Sequence, residues 1–362
     1  MKCLLDNIIF SLQRGGGASV VWYEFLKRLI NEKNLEYQII EYDNASINIF
    51  RSQLNIPREL IKELSASFLF TKRYMNLNTE SNSPFIFHSS HYRINRNKFS
   101  KNITTVHDFT YERYIKGIRR LVHSEQKWNS IKKSDAIICV SESTKQDLLH
   151  YIPSVDESKI NVVYNGVSLD FSTIQKTDYI LNLPFEDFGY ILYVGSRHVE
   201  YKNFKTAVLV CKELKLPLIT VGGEPLSKEE KIWLDTELGK NKYANYWKTP
   251  TLKLNELYNR ALALIYPSLY EGFGIPIIEA QRASCPAIAF ATSSIPEVIG
   301  NTDSLVHDIS KDGIINIVQR LLSEGGLRKK IIEEGILNSS RFSWDKTYYD
   351  TFNIYKKLLN NE

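Results

Sequence analysis

The segment from Tyr266 to Ala280 reads YPSLYEGFGIPIIEA and decides the fold class of the second half of the chain. An apolar run ends at Tyr266, a loop with two glycines follows, and Pro276 stands where a helix would have its first turn. Proline suits that position because the first N–H groups of a helix have no intrahelical partner. The segment therefore predicts a buried strand, a tight loop and a helix in direct succession, which is the repeating unit of α/β folds.

The same segment also contains two carboxylates beside a potential anion site. Backbone N–H groups around Phe273, Gly274 and Ile275 would point out of the start of the helix, where they can receive a phosphate oxygen. Glu271 before the helix and Glu279 about one turn inside it are suited to accept hydrogen bonds from sugar and ribose hydroxyls. The alternative is a plain capping arrangement, since an acidic side chain in the first turn stabilises a helix dipole without any ligand.

Short β-branched or aromatic runs alternate with segments of helical periodicity along the whole chain. The predicted strands are nearly continuously apolar, which indicates parallel sheets covered by helices on both faces. They lie at 3–10, 37–42, 85–88, 103–107, 136–140, 161–164, 190–195, 218–222, 262–266 and 287–290. The predicted helices lie at 18–31, 58–68, 112–132, 143–150, 204–214, 228–238, 255–260, 276–282, 313–323 and 327–337.

The weakest patterning is found at residues 168–188, a polar segment that contains Pro184 and precedes Gly189. Such a segment is typical of a linker. We therefore expect an amino-terminal domain at 1–170, a linker at 171–188 and a second domain at 189–342. Right-handed crossovers make each domain a doubly wound, Rossmann-like parallel sheet. The two domains are expected to face each other across a cleft that holds the ligand.

Composition excludes several classes of protein. The chain of 362 residues is 43% hydrophobic and 24% charged, which is ordinary for a globular protein of two domains. It contains no apolar run of the ~20 residues that a membrane-spanning helix needs. The amino end has no secretory pattern, and the four cysteines are far apart without metal-ligand spacing, so we expect a reduced, cytoplasmic protein. They are Cys3, Cys139, Cys211 and Cys285.

The positive charge is concentrated in the first half of the chain. The net charge is +5, and residues 1–170 alone contain 23 basic against 18 acidic side chains. Residues 92–133 contain 11 basic side chains and only three acidic ones. This segment is either a solvated helix face or a surface that meets an anionic partner such as phospholipid headgroups. Nucleic acid is not predicted as a partner, because none of its recognition motifs is present.

Several short motifs resemble, in the right order, those of family 4 retaining glycosyltransferases of the GT-B fold, of the type that builds bacterial surface polysaccharides. The first is the pair of glutamates with seven residues between them, Glu271 and Glu279. The others are GGG at 15–17, VHD at 106–108, SDAIICVSES at 134–143, NGV at 165–167, YVGSR at 193–197, YKNF at 201–204 and RFSW at 341–344. The resemblance spans nearly the whole chain and is strongest in its second half. It implies that the carboxyl-terminal segment 343–362 is a helix that crosses back to the first domain.

The resemblance implies catalytic roles for four side chains. Arg197 and Lys202 would neutralise the diphosphate of a sugar nucleotide and stabilise it as a leaving group. Glu271 would bind a hydroxyl of the donor sugar, and His107 at the end of a strand would hydrogen-bond the sugar in the transition state. The alternatives are surface ion pairing for Arg197 and Lys202 and a purely structural histidine. The stretch between Arg197 and Lys202 is longer than the family pattern.

The resemblance also implies which groups bind the donor nucleotide. Glu279 would take the ribose hydroxyls, and glycine backbones would approach the phosphates and the sugar. The predicted backbone contacts are Gly16, Gly17, Gly195, Gly223, Phe273, Gly274 and Ile275. For Gly223 the alternative is a plain turn between a strand and a helix.

The resemblance implies a transferase that moves a mannose-like or modified hexose from a GDP- or UDP-linked donor to an acceptor hydroxyl with retention at the anomeric carbon. A glycan or lipid-linked acceptor in O-antigen or capsule synthesis is expected, with the enzyme in the cytoplasm, at the inner face of an anionic membrane. The chain has no Asp-x-Asp pair, so no metal or other cofactor is expected. The alternatives are a sugar-nucleotide epimerase of the same fold and a non-catalytic sugar-binding protein.

Overall fold

The computed structural model describes residues 1–33, 35–300 and 302–360, which divide into two compact units. The first unit comprises Met1–Gly166 and the carboxyl-terminal helix, and the second comprises Val167–Ser343. Each unit is a parallel sheet with helices, as the alternating apolar runs predict. The α/β architecture of two doubly wound domains is therefore confirmed.

The first unit is built on a seven-stranded sheet in the order β3-β2-β1-β4-β5-β6-β7, with every pair parallel. Its strands are β1 (Lys2–Asp6), β2 (Glu36–Tyr42), β3 (Ile61–Leu64), β4 (Phe85–Ser89), β5 (Ser100–Val106), β6 (Ala136–Cys139) and β7 (Ile160–Val162). Its helices are α1 (Ile8–Leu12), α2 (Gly17–Leu29), α3 (Leu69–Lys72), α4 (Thr110–Tyr114), α5 (Ile118–Lys132) and α6 (Glu142–Tyr151).

The second unit has a six-stranded parallel sheet in the order β10-β9-β8-β11-β12-β13. Its strands are β8 (Ile191–Val194), β9 (Leu218–Val221), β10 (Tyr243–Tyr246), β11 (Ala263–Tyr266), β12 (Ala287–Phe290) and β13 (Leu305–Val306). Its helices are α7 (Phe204–Leu214), α8 (Lys228–Glu237), α9 (Thr251–Arg260), α10 (Ile275–Arg282), α11 (Ile295–Ile299), α12 (Lys311–Ser323) and α13 (Leu327–Ser339).

The last helix, α14 (Trp344–Asn360), packs on the sheet of the first unit. The hydroxyl of its buried Tyr355 lies 2.6 Å from Nδ1 of His88 in β4. At its start, Asp345 accepts a hydrogen bond of 2.6 Å from Nε of Arg28 in α2. An apolar stripe and two polar contacts thus attach the end of the chain to its first unit. None of the described helices is long and apolar enough to span a bilayer.

Each sheet has one position where the strand order reverses, between β1 and β4 in the first unit and between β8 and β11 in the second. The loops that leave the carboxyl ends of two such strands diverge to opposite faces of the sheet and open a crevice, which is where α/β proteins bind ligands. In the second unit those two loops follow Val194 and Tyr266.

Three predicted elements of the first unit are wrong. The predicted helix at 58–68 is instead the edge strand β3, which pairs in parallel with β2 and exposes Lys62 and Glu63. The predicted helix at 112–132 is two helices, because Gly117 adopts a left-handed φ of 73° between α4 and α5. The predicted strand at 3–10 ends at Asp6, and the apolar residues after it form the short buried helix α1.

Segment 171–188, which the sequence predicts to be a linker, lies against α9 of the second unit. The backbone N–H of Ile174 donates to Oδ1 of Asn259 at 3.0 Å, and that of Leu181 donates to Oε1 of Glu256 at 2.9 Å. Nη1 of Arg260, which is also in α9, donates a hydrogen bond of 2.7 Å to the carbonyl of Leu181. Polar side chains of one helix therefore hold the backbone of a segment that has little apolar character of its own.

Candidate functional site

The loop that follows β11 is held by the serines that follow β12. The hydroxyl of Ser294 donates to the carbonyls of Glu271 and Phe273 at 3.0 and 2.9 Å, and Oγ of Ser293 accepts from the N–H of Glu271 at 2.8 Å. Gly274 precedes α10 with a φ of 104°, where a Cβ would also lie 3.3 Å from a methyl carbon of Ile277. The loop therefore needs glycine at this position.

Helix α10 begins at Ile275 and has Pro276 in its first turn, as the sequence predicts. The first N–H groups of a helix have no intrahelical acceptor, and the helix dipole gives this end a partial positive charge. The start of α10 lies at the carboxyl end of β11, beside the reversal of strand order. These are the properties of a phosphate-binding position in an α/β protein.

Lys202 and Glu271 form an ion pair at this point. Nζ of Lys202 lies 2.6 Å from Oε1 and 2.7 Å from Oε2 of Glu271. Lys202 comes from the loop after β8, and the N–H of Leu269 donates to the carbonyl of Tyr201 at 2.8 Å, so the two loops are also joined through their backbones. The ammonium lies 5.7 Å from the centre of the Tyr266 ring, which adds a favourable cation–π contact. The structure thus brings two predicted site residues together.

Glu279, on α10, contacts a different partner. Its Oε2 accepts a hydrogen bond of 3.1 Å from the hydroxyl of Tyr258 in α9. Burial raises the pKa of Glu279 to about 7, although the hydrogen bond from Tyr258 opposes the shift. Burial and the adjacent Glu279 raise the pKa of Tyr258 well above its ordinary value, so the tyrosine remains a donor. The carboxyl group is therefore poised between its neutral and ionised forms near neutral pH.

Arg197 belongs to a separate network. Its Nε lies 2.9 Å from Oε1 of Glu230, and its Nη1 donates to the carbonyl of Gly222 at 3.0 Å and to Oδ1 of Asn245 at 3.1 Å. Its Nη2 donates to the carbonyl of Glu224 at 2.6 Å. These bonds engage four of the five N–H donors of the guanidinium, which is almost fully buried. Arg197 therefore holds the loop after β9 in place.

Two glycines of the second unit, Gly195 and Gly223, lie in the loops that follow β8 and β9. Gly195 follows β8 directly, and Gly223 follows β9 with a left-handed φ of 69°. A Cβ on Gly223 would lie 3.3 Å from Nη1 of Arg197. The backbone of Gly223 therefore approaches the guanidinium closely. Gly195 lies on the loop that continues to Lys202.

In the first unit, His107 follows β5 and lines a narrow cavity with Trp22, His88 and Asn165. Burial lowers the pKa of His107, and the Lys127 ammonium lowers it further, whereas Asp108 opposes the shift. The neutral imidazole is therefore favoured. Asn165, from the NGV motif, contributes a buried Oδ1 with no hydrogen-bond partner among the described residues.

Asp108 and the glycine loop complete the predicted positions of the first unit. Oδ1 of Asp108 accepts from the N–H of Thr110 at 2.9 Å, so this carboxylate holds the loop that leads into α4. Gly16 and Gly17 are exposed at the start of α2, and the hydroxyl of Ser19 donates to the carbonyl of Gly16 at 2.9 Å. The glycines thus open a helix after β1 and α1, near the reversal of strand order in the first sheet.

Sequence reasoning missed the residues that hydrogen-bond the predicted site residues and their loop. They are Tyr258, which donates to Glu279, Glu230, which accepts from Arg197, and the serines at 293 and 294, which hold the loop after β11. The polar run after β12 was a visible signal for the serines, since polar residues at the carboxyl end of a parallel strand lie at the ligand-binding edge. Tyr258 and Glu230 lie on helices whose patterning is ordinary, and no sequence signal marks them.

Two family models match the chain: "Glycosyltransferase Family 4" over residues 15–171 and "Glycosyl transferases group 1" over residues 179–337. The matches meet near the boundary between the two units and together account for most of the chain. The chain belongs to the family 4 glycosyltransferases of the GT-B fold.

Individual relatives agree with this assignment. O-antigen chain mannosyltransferase B of Escherichia coli is 24% identical over 290 residues, which cover 76% of this chain and 74% of that protein. The structure of sucrose-phosphate synthase from Thermosynechococcus elongatus covers 100% of both chains with a TM-score of 0.77 at 16% identity. HepE of Anabaena, solved with UDP and glucose, covers 99% of this chain and 100% of its own with a TM-score of 0.74 at 13% identity. At such identities the structural likeness establishes the fold.

Proposed function

We propose that this glycosyltransferase moves a hexose, mannose-like or modified, from a GDP- or UDP-linked donor to a hydroxyl of a glycan or lipid-linked acceptor. The observation that carries the proposal is the Lys202–Glu271 ion pair at the start of α10. A cation, a carboxylate and a helix amino terminus thus lie together where the strand order of the second sheet reverses. A sugar diphosphate needs these three groups for its phosphates and its hydroxyls.

In this proposal Lys202 and the start of α10 stabilise the negative charge that develops on the departing diphosphate. Such preorganised electrostatic stabilisation is commonly the largest contribution to catalysis of this kind. When the donor binds, Lys202 exchanges the carboxylate of Glu271 for a phosphate oxygen. Glu271 is then available to accept a hydrogen bond from a hydroxyl of the donor sugar. No metal is needed for these roles, and activity in the presence of EDTA is the corresponding test.

Glu279 is proposed to bind the ribose. Its carboxylate can accept hydrogen bonds from two vicinal hydroxyls, while Tyr258 holds the other side of the group. A carboxylate that accepts further hydrogen bonds is stabilised in its ionised form, so the nucleotide would lower the raised pKa of Glu279. The backbones of Phe273, Gly274 and Ile275 are proposed to line the phosphates.

The contacts of Arg197 revise its proposed role. Because four of its donors are already engaged, we propose that Arg197 positions the loop after β9, including Gly223, and does not contact the phosphates directly. Lys202 is then the proposed cation for the leaving group. Gly195 and Gly223 are proposed to border the nucleotide through their backbones.

We propose that the reaction retains the configuration at the anomeric carbon by departure and attack on the same face of the sugar. The bond between the anomeric carbon and the phosphate oxygen breaks, and the acceptor oxygen forms the new bond. The acceptor hydroxyl gives its proton to the departing phosphate. His107, neutral because its pKa is lowered, is proposed to hydrogen-bond the sugar in the transition state, and Gly16 and Gly17 to line it.

The proposed setting is the cytoplasmic face of a membrane, in the synthesis of O-antigen or capsule. The name of the Escherichia coli relative, an O-antigen chain mannosyltransferase, supports this setting and the mannose-like donor. The UDP in the HepE structure supports a nucleotide donor but leaves GDP as the alternative. The first unit is proposed to bind the acceptor.

The proposal is tested by a thermal-shift panel of GDP-, UDP-, ADP- and dTDP-sugars, since a ligand that binds only the folded state raises the melting temperature. The donor that gives the largest shift is then incubated with lipid-linked acceptors, and NMR spectroscopy of the product reports the anomeric configuration. Lys202→Ala is compared with Lys205→Ala, an exposed lysine of the adjacent helix α7. No shift with any nucleotide sugar, or full activity in Lys202→Ala, would refute the proposal.

A further inference from the structure

Lys127 is buried completely, which is rare for a lysine and requires a partner. Its side chain lies on α5 with none of its surface exposed, although it belongs to the positively charged segment at 92–133. Nζ of Lys127 lies 2.8 Å from Oε2 of Glu112 in α4, whose side chain is also buried. The interior of the first unit therefore contains a complete ion pair.

Stability alone does not account for this ion pair. The removal of two charges from water is costly, and apolar side chains of the same shape commonly stabilise an interior at least as well. A buried ion pair with further hydrogen bonds provides something else, because it fixes the groups that it joins in one geometry. The groups that Lys127 and Glu112 contact therefore indicate what the pair does.

Lys127 contacts the loop that follows β5. Its Nζ lies 2.9 Å from the carbonyl oxygen of Asp108, the residue directly after His107. The same Nζ lies 4.4 Å from the centre of the buried Phe109 ring, which stacks on the ring of Tyr151 at 5.2 Å. The ammonium thus holds the two residues that follow His107, one by its carbonyl and one by its ring.

Glu112 extends these contacts to α4. Its Oε1 accepts a hydrogen bond of 2.8 Å from the hydroxyl of Ser124 in α5, so both of its carboxylate oxygens are bonded to side chains of α5. The carboxylate of Asp108 accepts from the N–H of Thr110 within the loop. The segment at 108–112 is therefore held by hydrogen bonds at both of its ends.

Helix α5 is itself fixed to the strand that leads into His107. The hydroxyl of Ser130 in α5 lies 2.6 Å from the hydroxyl of Thr104 in β5, and both residues are buried. Residues three apart on a helix lie on the same face, so Ser130 and Lys127 face β5 and its loop together. The position of the ammonium relative to the end of β5 is therefore fixed.

We propose that Lys127, paired with Glu112, positions the imidazole of His107 for the transfer reaction. Lys127 is a positioning residue, because its hydrogen bonds go to Asp108 and Glu112 and its effect on the imidazole passes through the loop. A displacement of about 1 Å in a reacting group can lower a rate about a hundredfold, so the rigidity of this loop bears directly on turnover. The inference rests on the role proposed for His107.

NMR spectroscopy of the histidine rings tests the position of His107 without a donor or an acceptor. The rings are labelled with ¹⁵N, and the resonances of His107 are assigned by their loss in His107→Ala. Lys127→Met with Glu112→Gln removes both charges and retains side chains of similar size, so the chain should remain folded. We expect exchange broadening of the His107 resonances, because the loop samples more than one position. Those of His198 and His307 in the second unit should not change.

A double-mutant cycle in kcat shows whether Lys127 acts through His107. Lys127→Met with Glu112→Gln should lower kcat about tenfold or more, while KM for the donor changes little because the donor is proposed to bind the second unit. In a His107→Ala background the same two substitutions should lower kcat less than about twofold, since the imidazole that they misplace is already absent. A merely structural role would give the same loss in both backgrounds.

The matched control is another largely buried ion pair of the first unit. Nη1 of Arg28 lies 2.6 Å from Oε2 of Glu24 within α2. Arg28→Met with Glu24→Gln should leave kcat and the His107 resonances as they are in the wild type. Ser124→Ala is a milder variant that removes one hydrogen bond to Glu112, and it should broaden the His107 resonances in the same way but less.

Two results would overturn the inference. One is unchanged His107 resonances in Ser124→Ala and in the folded Lys127→Met, Glu112→Gln protein. The other is an equal loss of kcat with and without His107. Full kcat in His107→Ala would instead refute the role proposed for the histidine, and the inference with it. Because the NMR measurement needs no nucleotide sugar, its outcome stands apart from any failure of the thermal-shift panel.

Discussion

One ammonium group, that of Lys202, lies within 2.7 Å of both carboxylate oxygens of Glu271. The two opposite charges neutralise each other, and both side chains are largely buried. A neutral sugar has no charge with which to separate them. A diphosphate donor can, because it offers Lys202 an anion and Glu271 a hydroxyl at the same time. Under the proposed function, the ion pair is therefore expected to favour charged donors over free sugars.

Removal of Lys202 should slow turnover and weaken the fold. If Lys202 stabilises the departing diphosphate as proposed, Lys202→Ala removes that cation, and we expect kcat to fall about a hundredfold or more. The same substitution leaves Glu271 largely buried without its partner, at a cost of about 3 kcal/mol in the free energy of unfolding. Steady-state kinetics with the identified donor and urea denaturation measure the two effects.

A double variant separates these effects. Lys202→Met with Glu271→Gln removes both charges and retains side chains of similar size, so most of the lost stability should return. Turnover should stay low, because the cation is still absent. Recovery of turnover together with stability would mean that Lys202 acts only through the fold.

Glu279 should make stability depend on pH. Its pKa is raised by burial from 4.5 to about 7 in the folded chain, so its contribution is fully present below pH 4.5 and is lost as the pH rises towards 7. We expect the free energy of unfolding of the wild type, relative to Glu279→Gln, to fall across that range and to level off above it. Parallel curves for the two proteins would contradict the assignment.

The donor should bind more tightly as Glu279 ionises, if the carboxylate accepts the ribose hydroxyls. Between about pH 6 and pH 8 we expect the affinity for the nucleotide sugar to rise about tenfold, with release of a proton. Calorimetry in buffers of different ionisation enthalpy measures both quantities. In Glu279→Gln the affinity should be lower at high pH and the pH dependence should disappear.

The centre of the second sheet could be predicted from sequence because its strands are buried on both faces. The strand, loop and helix around residues 263–282 lie where the apolar run, the glycines and Pro276 indicate. The strands β3, β10 and β13 were missed, and each lies at a sheet edge, although the edge strand β7 was predicted at 161–164. An edge strand such as Ile61–Leu64 packs only in part, so polar residues replace the apolar run that would reveal it.

The sequence indicated which residues belong to the candidate site, but not which of them contact each other. Lys202 and Glu271 are both identified by motifs, yet their pairing depends on the strand order that makes β8 and β11 neighbours. Arg197 is a second example, because other groups of the protein engage the donors that its motif assigns to a ligand. Its position after a strand predicts a ligand contact, whereas Glu230 and the carbonyls after β9 engage its donors. Partners that lie 25 to 33 residues away cannot be read from a local pattern.

Replacement of Arg197 by lysine should distinguish a positioning role from direct contact with the phosphate. Lysine keeps the charge but cannot reproduce four hydrogen bonds in a forked geometry. If Arg197 positions the loop after β9, Arg197→Lys should raise KM for the donor and lower the melting temperature while kcat changes little. The control is Arg282→Lys, which changes an arginine of α10 that donates to the carbonyl of Phe171. A fall in kcat alone would instead indicate phosphate contact.

Gly274 should be intolerant of a side chain. Alanine at this position would have to adopt a φ of 104° with its Cβ 3.3 Å from Ile277, so either the helix start moves or about 1–2 kcal/mol of stability is lost. If the start of α10 binds the donor phosphates, Gly274→Ala should also weaken donor binding measured by calorimetry. Gly325→Ala is the control, because nothing lies within 4 Å of its Cβ. Unchanged donor affinity in a folded Gly274→Ala protein would remove the phosphates from this helix start.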